Sequence, residues 1–280
     1  MLVKTKKELK SLLASLPKNQ GLGLVPTMGA LHKGHMALIE KAVEENDAVV
    51  VTIFVNPTQF NNQEDLEKYP NTLEADLSLI KKTSENIMVF VPSVTEIYSA
   101  EIKAKAYSFD GLDRVMEGEF REGHFNGVAT IVEALFALVM PDRAYFGEKD
   151  FQQLQIIRKL VALKQINVEI IGCPIVREAS GLAMSSRNER LSKHMRAEAS
   201  VIYRTLLEAK NKFGTKSAKQ VVKWVQGQFQ SHPDLELEYI AITDATNLRP
   251  IQRKQQKTKY RAFIAVYAEG VRLIDNIALN

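Results

Sequence analysis

The chain has 280 residues, 45% hydrophobic and 25% charged, the balance of an ordinary globular protein able to bury a sizeable core. Lysine and arginine total 37 against 33 acidic residues, and the formal net charge of +4 is too small an excess to argue for a nucleic-acid partner. The single cysteine, Cys173, excludes an internal disulfide, weighs against a cysteine-based metal site and fits a reducing compartment, with the cytoplasm as the default.

The first ten residues are polar and lysine-rich, without the apolar core of a secretory signal. Thr5, followed three residues later by Glu8, predicts a capping box opening a helix with Leu9, Leu12, Leu13 and Leu16 on one face. Residues 22–25 then read as a strand, 34–45 as a helix and 48–54 (AVVVTIF) as a strand whose unbroken apolar run suits a parallel sheet covered on both faces. The alternation continues with a helix over 71–84, a strand over 87–91, a helix over 125–140, a strand over 143–146, a helix over 151–163 and a strand over 168–172. The run 125–140 contains Glu133 and is shorter than the ~20 residues a bilayer span requires, so it reads as a buried helix. This order predicts an α/β fold, a doubly wound parallel sheet, over residues 1–175. Beyond it, Ser192 is placed to cap a long helix reaching Phe213, and a second helix follows from Ser217. Strands over 235–243, 260–268 and 271–274, the last two joined through Glu269-Gly270, complete a smaller α+β domain over 176–280.

In an open α/β sheet ligands bind beyond the carboxyl ends of the strands, which directs attention to the connecting loops. The first reads PTMGALHKGH over 26–35 and runs straight from strand into helix. Ring N–H groups of His32 and His35 at a helix start suit an anion that the helix amides also attract, a phosphate above all. A lone histidine there is more often a loop or cap residue, and the other loops shift that balance. Asn56 and Gln59, around a stiffening proline in FVNPTQF, suit a ligand bearing hydroxyl and carboxylate groups, although Asn-Pro is also a common turn initiator. In FGEKDFQQ, Gly147 allows close approach and Lys149 supplies a compact positive charge, while Asp150 either caps the next helix or meets a ribose. In GLAMSSRN over 181–188, Ser185, Ser186 and Arg187 in a flexible loop suit a polyphosphate clamp, against the plainer reading of a serine-rich linker. Tyr69 and Asp76 are lesser candidates near the nucleotide loops, with helix surface the plainer reading of Asp76; His124 also reads as a core or cap histidine, and Cys173 as a small buried side chain.

The 32–35 segment is similar to the His-x-Gly-His signature of adenylate-forming nucleotidyltransferases related to class I aminoacyl-tRNA synthetases, and 184–187 to their mobile Lys-Met-Ser-Lys-Ser segment. PTMGALHKGH, FVNPTQF, HFNGV at 124–128, PDRAYFGEKDFQQ at 141–153 and GLAMSSRN together resemble the pantothenate synthetase family, in order and spacing across roughly residues 20–192. Departures are Asn71 where the family usually has arginine, Ala134 in place of lysine, and Ala179-Ser180 in place of Ala-Asp.

The resemblance implies a Rossmann-like domain of the nucleotidyltransferase type with a carboxyl-terminal lid. It implies condensation of pantoate with β-alanine through a pantoyl adenylate, with ATP as substrate and Mg²⁺ on the triphosphate, in a homodimer. By the same resemblance, Met28, Gly29, Ala30, Leu31, His32, Lys33, Gly34 and His35 form the nucleotide loop. Gly147, Glu148, Lys149, Asp150, Val176, Met184, Ser185, Ser186 and Arg187 complete the ATP site. His32, His35, Lys149, Ser185, Ser186 and Arg187 carry the catalysis, and Asn56, Gln59, Gln153 and Arg121 serve pantoate and the incoming amine. No dedicated protein metal site is expected, because phosphate oxygens and water hold Mg²⁺. Another nucleotidyltransferase of the same fold is the first alternative. An RNA-binding protein is the second, prompted by six basic residues and no acid between Arg249 and Arg261.

Overall fold

Each short apolar run is long enough for a strand and too short for a covered helix, and amphipathic sequence between the runs supplies the helices that bury the sheet. The structure, a computed structural model, describes residues 1–17, 19–98 and 101–280. Its elements begin with β1 (Leu2–Val3), α1 (Lys6–Ser15), β2 (Leu22–Thr27), α2 (Lys33–Glu45), β3 (Ala48–Ile53), α3 (Gln63–Glu67), α4 (Leu73–Thr83) and β4 (Ile87–Phe90). They continue with α5 (Val94–Ile97), α6 (Glu117–Phe120), α7 (His124–Val139), β5 (Arg143–Gly147), α8 (Phe151–Lys164) and β6 (Glu169–Cys173). After these come α9 (Lys193–Glu198), α10 (Ser200–Phe213), α11 (Ala218–Phe229), β7 (Leu235–Asp244), β8 (Tyr260–Ala268) and β9 (Val271–Ala278).

Two compact units divide the chain: Met1–Glu148 with Gln153–Pro174, and Lys149–Gln152 with Ile175–Asn280. In the first, the strands form one sheet in the order β1-β4-β3-β2-β5-β6, every pairing parallel. The order runs outward through β3 and β4 and then restarts on the other side of β2 with β5, so the topological switch point lies between β2 and β5. All six residues of β3 are buried, as a strand covered on both faces requires. Val25, Ile39, Val51, Ile80, Val89 and Tyr145 form part of the core around it. The capping box of Thr5 and Glu8 is present, but only Leu9 of the four expected leucines is fully buried.

The expected α/β order is observed with local differences. β1 pairs with β4 at the sheet edge, and two residues are too few to show a period in sequence. The short helices α3, α5 and α6 lie in segments read as loop. In the second unit β7, β8 and β9 form an antiparallel sheet, with β8 central. Ile202, Leu206, Val221, Val225, Ile264 and Val266 pack α10 and α11 into a separate core with it. Ser192 does cap a helix, its hydroxyl accepting from the Met195 amide at 3.1 Å, but the long helix expected to reach Phe213 is two helices. The break falls at fully buried Ala199, whose N–H is shared between the carbonyls of Met195 and Ala197, as at many helix ends. β9 runs on past residue 274, where the polar pair Asp275-Asn276 disguised its continuation.

Candidate functional site

The loop after β2 is shaped by one buried carboxylate. Asp76, on α4 and only 2% exposed, accepts the amides of Ala30 at 2.9 Å and Leu31 at 2.8 Å, and the Thr72 hydroxyl at 3.2 Å. This overturns the surface reading of Asp76. Gly29 has φ +80°, and a Cβ there would lie 3.1 Å from both Asp76 Oδ2 and Ile53 Cγ2, so only glycine fits without displacement. Ala30 is also left-handed, at φ 49°, a conformation that the Asp76 clamp holds in place.

The clamp delivers the chain to α2, where the two histidines cap the helix reciprocally. His32 Nδ1 accepts from the Gly34 amide at 3.1 Å, and His35 Nδ1 accepts from the His32 amide at 3.4 Å. Their rings stand 4.1 Å apart, tilted by 30°. An accepting Nδ1 carries no proton, so these bonds assign the neutral tautomer with its proton on Nε2 in both rings. One helix start thus combines two Nε2–H donors with the positive end of the α2 dipole.

The loop after β3 is tied to the same neighbourhood. Gln59, 8% exposed, donates Nε2 to Met28 Sδ at 3.0 Å and so links the two loops. Asn56, 1% exposed, donates to Gln59 Oε1 at 3.0 Å and to Gly127 O at 3.1 Å, while its Oδ1 accepts from Tyr98 at 2.6 Å and Thr58 at 3.0 Å. Both N–H groups and the carbonyl of Asn56 are therefore engaged within the protein. Gly127 of α7 lets this turn approach, since a Cβ there would sit 2.2 Å from Thr58 O. His124, 6% exposed, contacts Gln59 O through Nδ1 at 2.8 Å and Arg121 Nη1 through Nε2 at 3.1 Å. A carbonyl only accepts, so His124 is protonated at Nδ1 and accepts from Arg121 at Nε2. Arg121 also lies 3.7 Å from Glu117.

In the second unit, Lys149 is largely covered, with its ammonium 3.8 Å from the half-exposed Asp150 carboxylate. The Asn276 carboxamide donates to Lys149 O at 2.8 Å. The 181–188 segment, expected as a flexible loop, is instead a hairpin followed by a 3₁₀ turn. The Met184 amide donates to Val176 O at 3.0 Å and that of Glu178 to Leu182 O at 2.9 Å, which brings together Val176 and Met184, both expected at the adenosine site. Gly181 turns the hairpin at φ +95° and packs so closely that a Cβ would meet Tyr203 at 2.7 Å. Ser185 Oγ accepts from the Arg187 amide at 3.2 Å and caps the turn Ser186–Arg190. Asn188, 1% exposed, donates to Glu178 Oε1 at 2.8 Å and Ala183 O at 3.0 Å. Arg196 also donates through Nε to both Glu178 oxygens, at 3.1 and 3.0 Å, which raises its pKa above the ordinary arginine value.

Asp275 anchors the base of that hairpin by accepting from both Arg177 Nη atoms, at 2.6 and 3.0 Å. Burial pushes the Asp275 carboxyl upward against the opposing pull of Arg177. Sequence reasoning set Asp76 on a helix surface and passed over Tyr98, Asp275 and Asn276. Position 76 on an amphipathic helix gave a polar pattern, and the other three lie far along the chain from the loops they support. Cys173 is the buried small residue expected, its thiol pushed up to about 11 by burial. The basic run from Arg249 is not a uniform solvated patch, because Arg261 is 8% exposed with its guanidinium 3.9 Å from the centre of the Phe151 ring.

A parallel sheet with its switch point beside the β2 loop, and an anion-suited helix start in that loop, define a nucleotide-binding α/β enzyme class. The family model described as pantoate-beta-alanine ligase matches residues 1–278. Pantothenate synthetase of Christiangramia forsetii is 55% identical over 261 residues, 93% of this chain and 92% of the relative. That of Flavobacterium psychrophilum is 54% identical over 265 residues, 95% and 94% of the two chains. Among solved structures, pantothenate synthetase from Thermus thermophilus superposes with a TM-score of 0.91 at 40% identity, covering 99% of both chains. Pantoate-beta-alanine ligase from Francisella tularensis, complexed with beta-gamma ATP and beta-alanine, gives 0.78 at 35% identity, covering 100% of this chain and 97% of that one. The chain belongs to the pantoate–β-alanine ligase family, whose reaction is the ATP-dependent joining of pantoate to β-alanine.

Proposed function

We propose that this chain performs the family reaction in two displacements, with the residues described above in specific roles. The pantoate carboxylate attacks the α-phosphorus of ATP and pyrophosphate leaves. The β-alanine amine then attacks the acyl carbon, AMP leaves, and the amine gives up a proton as the amide forms. No enzyme nucleophile takes part; the protein aligns the reactants and stabilises phosphate charge. His32 and His35 donate from Nε2 to phosphate oxygens, including those that gain charge as pyrophosphate departs. Lys149, Ser185, Ser186 and Arg187 neutralise further phosphate charge, with Ser185–Arg187 on a carboxyl-terminal lid. Met28–Gly34, Gly147, Glu148, Asp150, Val176 and Met184 line the nucleotide. Gln59 and Gln153 bind pantoate, Asn56 acts by orienting Gln59, and Arg121 serves the incoming amine.

The reciprocal His32–His35 cap is the observation that carries this reading, because it fixes both proton positions before any ligand arrives. Mg²⁺ enters on the triphosphate; among the described residues no group of three or more His, Cys, Asp or Glu side chains is placed to hold a metal. The active form is a homodimer, as the family resemblance implies, and works in a reducing compartment, the cytoplasm, which the single cysteine fits. Among the described residues no helix is long and apolar enough to cross a membrane. AMP release by the purified protein with ATP and Mg²⁺, omitting pantoate and β-alanine in turn, tests the function. Release that requires both, with pantothenate as co-product, supports it, and release without either returns the chain to a nucleotidyltransferase of other specificity. Light scattering at micromolar concentration tests the dimer.

A further inference from the structure

The buried dipeptide Asp275-Asn276 holds the backbone at both ATP-handling segments of its unit, and the Lys149 charge also acts on the Asp275 carboxylate. Asn276, 1% exposed, donates Nδ2 to Lys149 O at 2.8 Å and accepts at Oδ1 from Arg261, whose guanidinium stacks on Phe151, two residues beyond Lys149. Asp275, 4% exposed, takes both Arg177 Nη atoms at the start of the hairpin that leads into Ser185, and its Oδ1 also accepts the Asn276 amide at 2.7 Å. Arg177 in turn donates to Gly181 O at 3.1 Å and lies 3.6 Å from the centre of the Tyr203 ring. Two adjacent residues of one strand therefore grip the Lys149 segment with one side chain and the Arg177–Ala183 hairpin with the other.

We infer that Asp275 and Asn276 are a positioning pair that fixes Lys149 and the Ser185–Arg187 turn in mutual register, so that the phosphate-binding groups of this unit act together. The inference rests on the reading of Lys149 and Ser185–Arg187 as phosphate ligands. A carboxylate and a carboxamide suit the task better than apolar packing, because each bond fixes a distance and a direction. Reaction rates are sensitive to such placement, since an error of about 1 Å in a binding group costs up to about 10²-fold.

Asn276→Ala tests the inference through coupling. The expected result is a fall of about tenfold in the rate of pyrophosphate release, with KM for β-alanine unchanged and thermal unfolding still cooperative. In a Lys149→Ala background the same substitution is expected to cost less than about twofold, because the group it positions is gone. Equal losses in both backgrounds, or a loss that only tracks the unfolded fraction, overturn the inference. The unsubstituted protein provides a measurement that needs no variant to fold: hydrogen exchange across a titration with a non-hydrolysable ATP analogue. Amides of 149–152, 183–188 and 275–277 are expected to gain protection over one concentration range, and separate ranges overturn the pairing. Failure of the functional reading is distinct, because it shows as absent AMP release in the unsubstituted protein with all substrates present.

Discussion

The loop after β2 and the segment after β5 both carry the chain from a parallel strand toward a helix, but they are secured differently. In the first, the proposed ligands secure themselves: His32 and His35 cap α2 and each other, and Asp76 holds the preceding backbone at Ala30 and Leu31. In the second, Lys149 is held through its carbonyl by Asn276, which lies 127 residues later in the chain. A self-capping loop keeps its geometry as long as its own helix persists. A loop held by a remote strand inherits its geometry from the whole carboxyl-terminal fold, and so can be altered without touching the loop itself.

The largest expected effect tests whether both regions serve the chemistry at all. His35→Ala and Lys149→Ala should each lower kcat/KM by about 10²–10³-fold, the usual loss for one group that stabilises transition-state charge. A steady-state assay of AMP formation checks this, and near-normal turnover in either variant removes that residue from the mechanism. His32→Ser sharpens the contrast, because serine also caps a helix but lacks Nε2. Stability should change by less than about 0.5 kcal/mol while turnover falls as for an alanine replacement. A large stability loss without a rate loss would make His32 a cap and nothing more.

Much of the first region was legible in the sequence because the His32–His35 cap is local. The strand–loop–helix pattern around PTMGALHKGH placed the histidines at a helix start, and the order of elements placed that start on a parallel sheet. The second region was less legible, since the partner of Lys149 belongs to β9, and Asp275-Asn276 reads as the polar end of a strand rather than its buried middle. Asp76 was misread for a related reason: the spacing that puts a side chain on a helix face does not say which loop folds over it. The hairpin over 176–184 was hidden by its glycine and serine content, which signals a turn and a flexible linker equally well.

Asp76→Ala probes the backbone clamp directly. It leaves the Ala30 and Leu31 amides without their acceptor, the second of them buried, so unfolding stability should fall by about 2–4 kcal/mol, read as the shift of a denaturation midpoint. Turnover should fall as well, because the His32–His35 cap begins where the clamp ends. Gly127→Ala is expected to act on the substrate side of the same region. Its Cβ would sit 2.2 Å from Thr58 O, so the turn carrying Gln59 must move. An increase of about tenfold in KM for pantoate, with KM for ATP little changed, is expected from steady-state kinetics. A rise confined to KM for ATP would move Gln59 from pantoate to the nucleotide.

The smallest effect comes from the far part of α7 and separates stability from function. Burial works to raise the Glu133 carboxyl, but hydrogen bonds from Lys105, Tyr107 and Lys164 outweigh it and hold the group at about 2, below the ordinary 4.5. A depressed folded value means that the stabilisation is present in full above pH 4.5 and is lost as pH falls toward about 2. Glu133→Gln cannot titrate, so its unfolding free energy should be lower at neutral pH and flatter through that acid window, measured by denaturant melts at successive pH values. Turnover at neutral pH should stay unchanged, because Glu133 touches neither the His32–His35 cap nor the Gln59 turn. A substantial loss of turnover at constant folded fraction would show that α7 transmits the state of this charge cluster to His124 and Gly127, so that even the locally capped region depends on distant support.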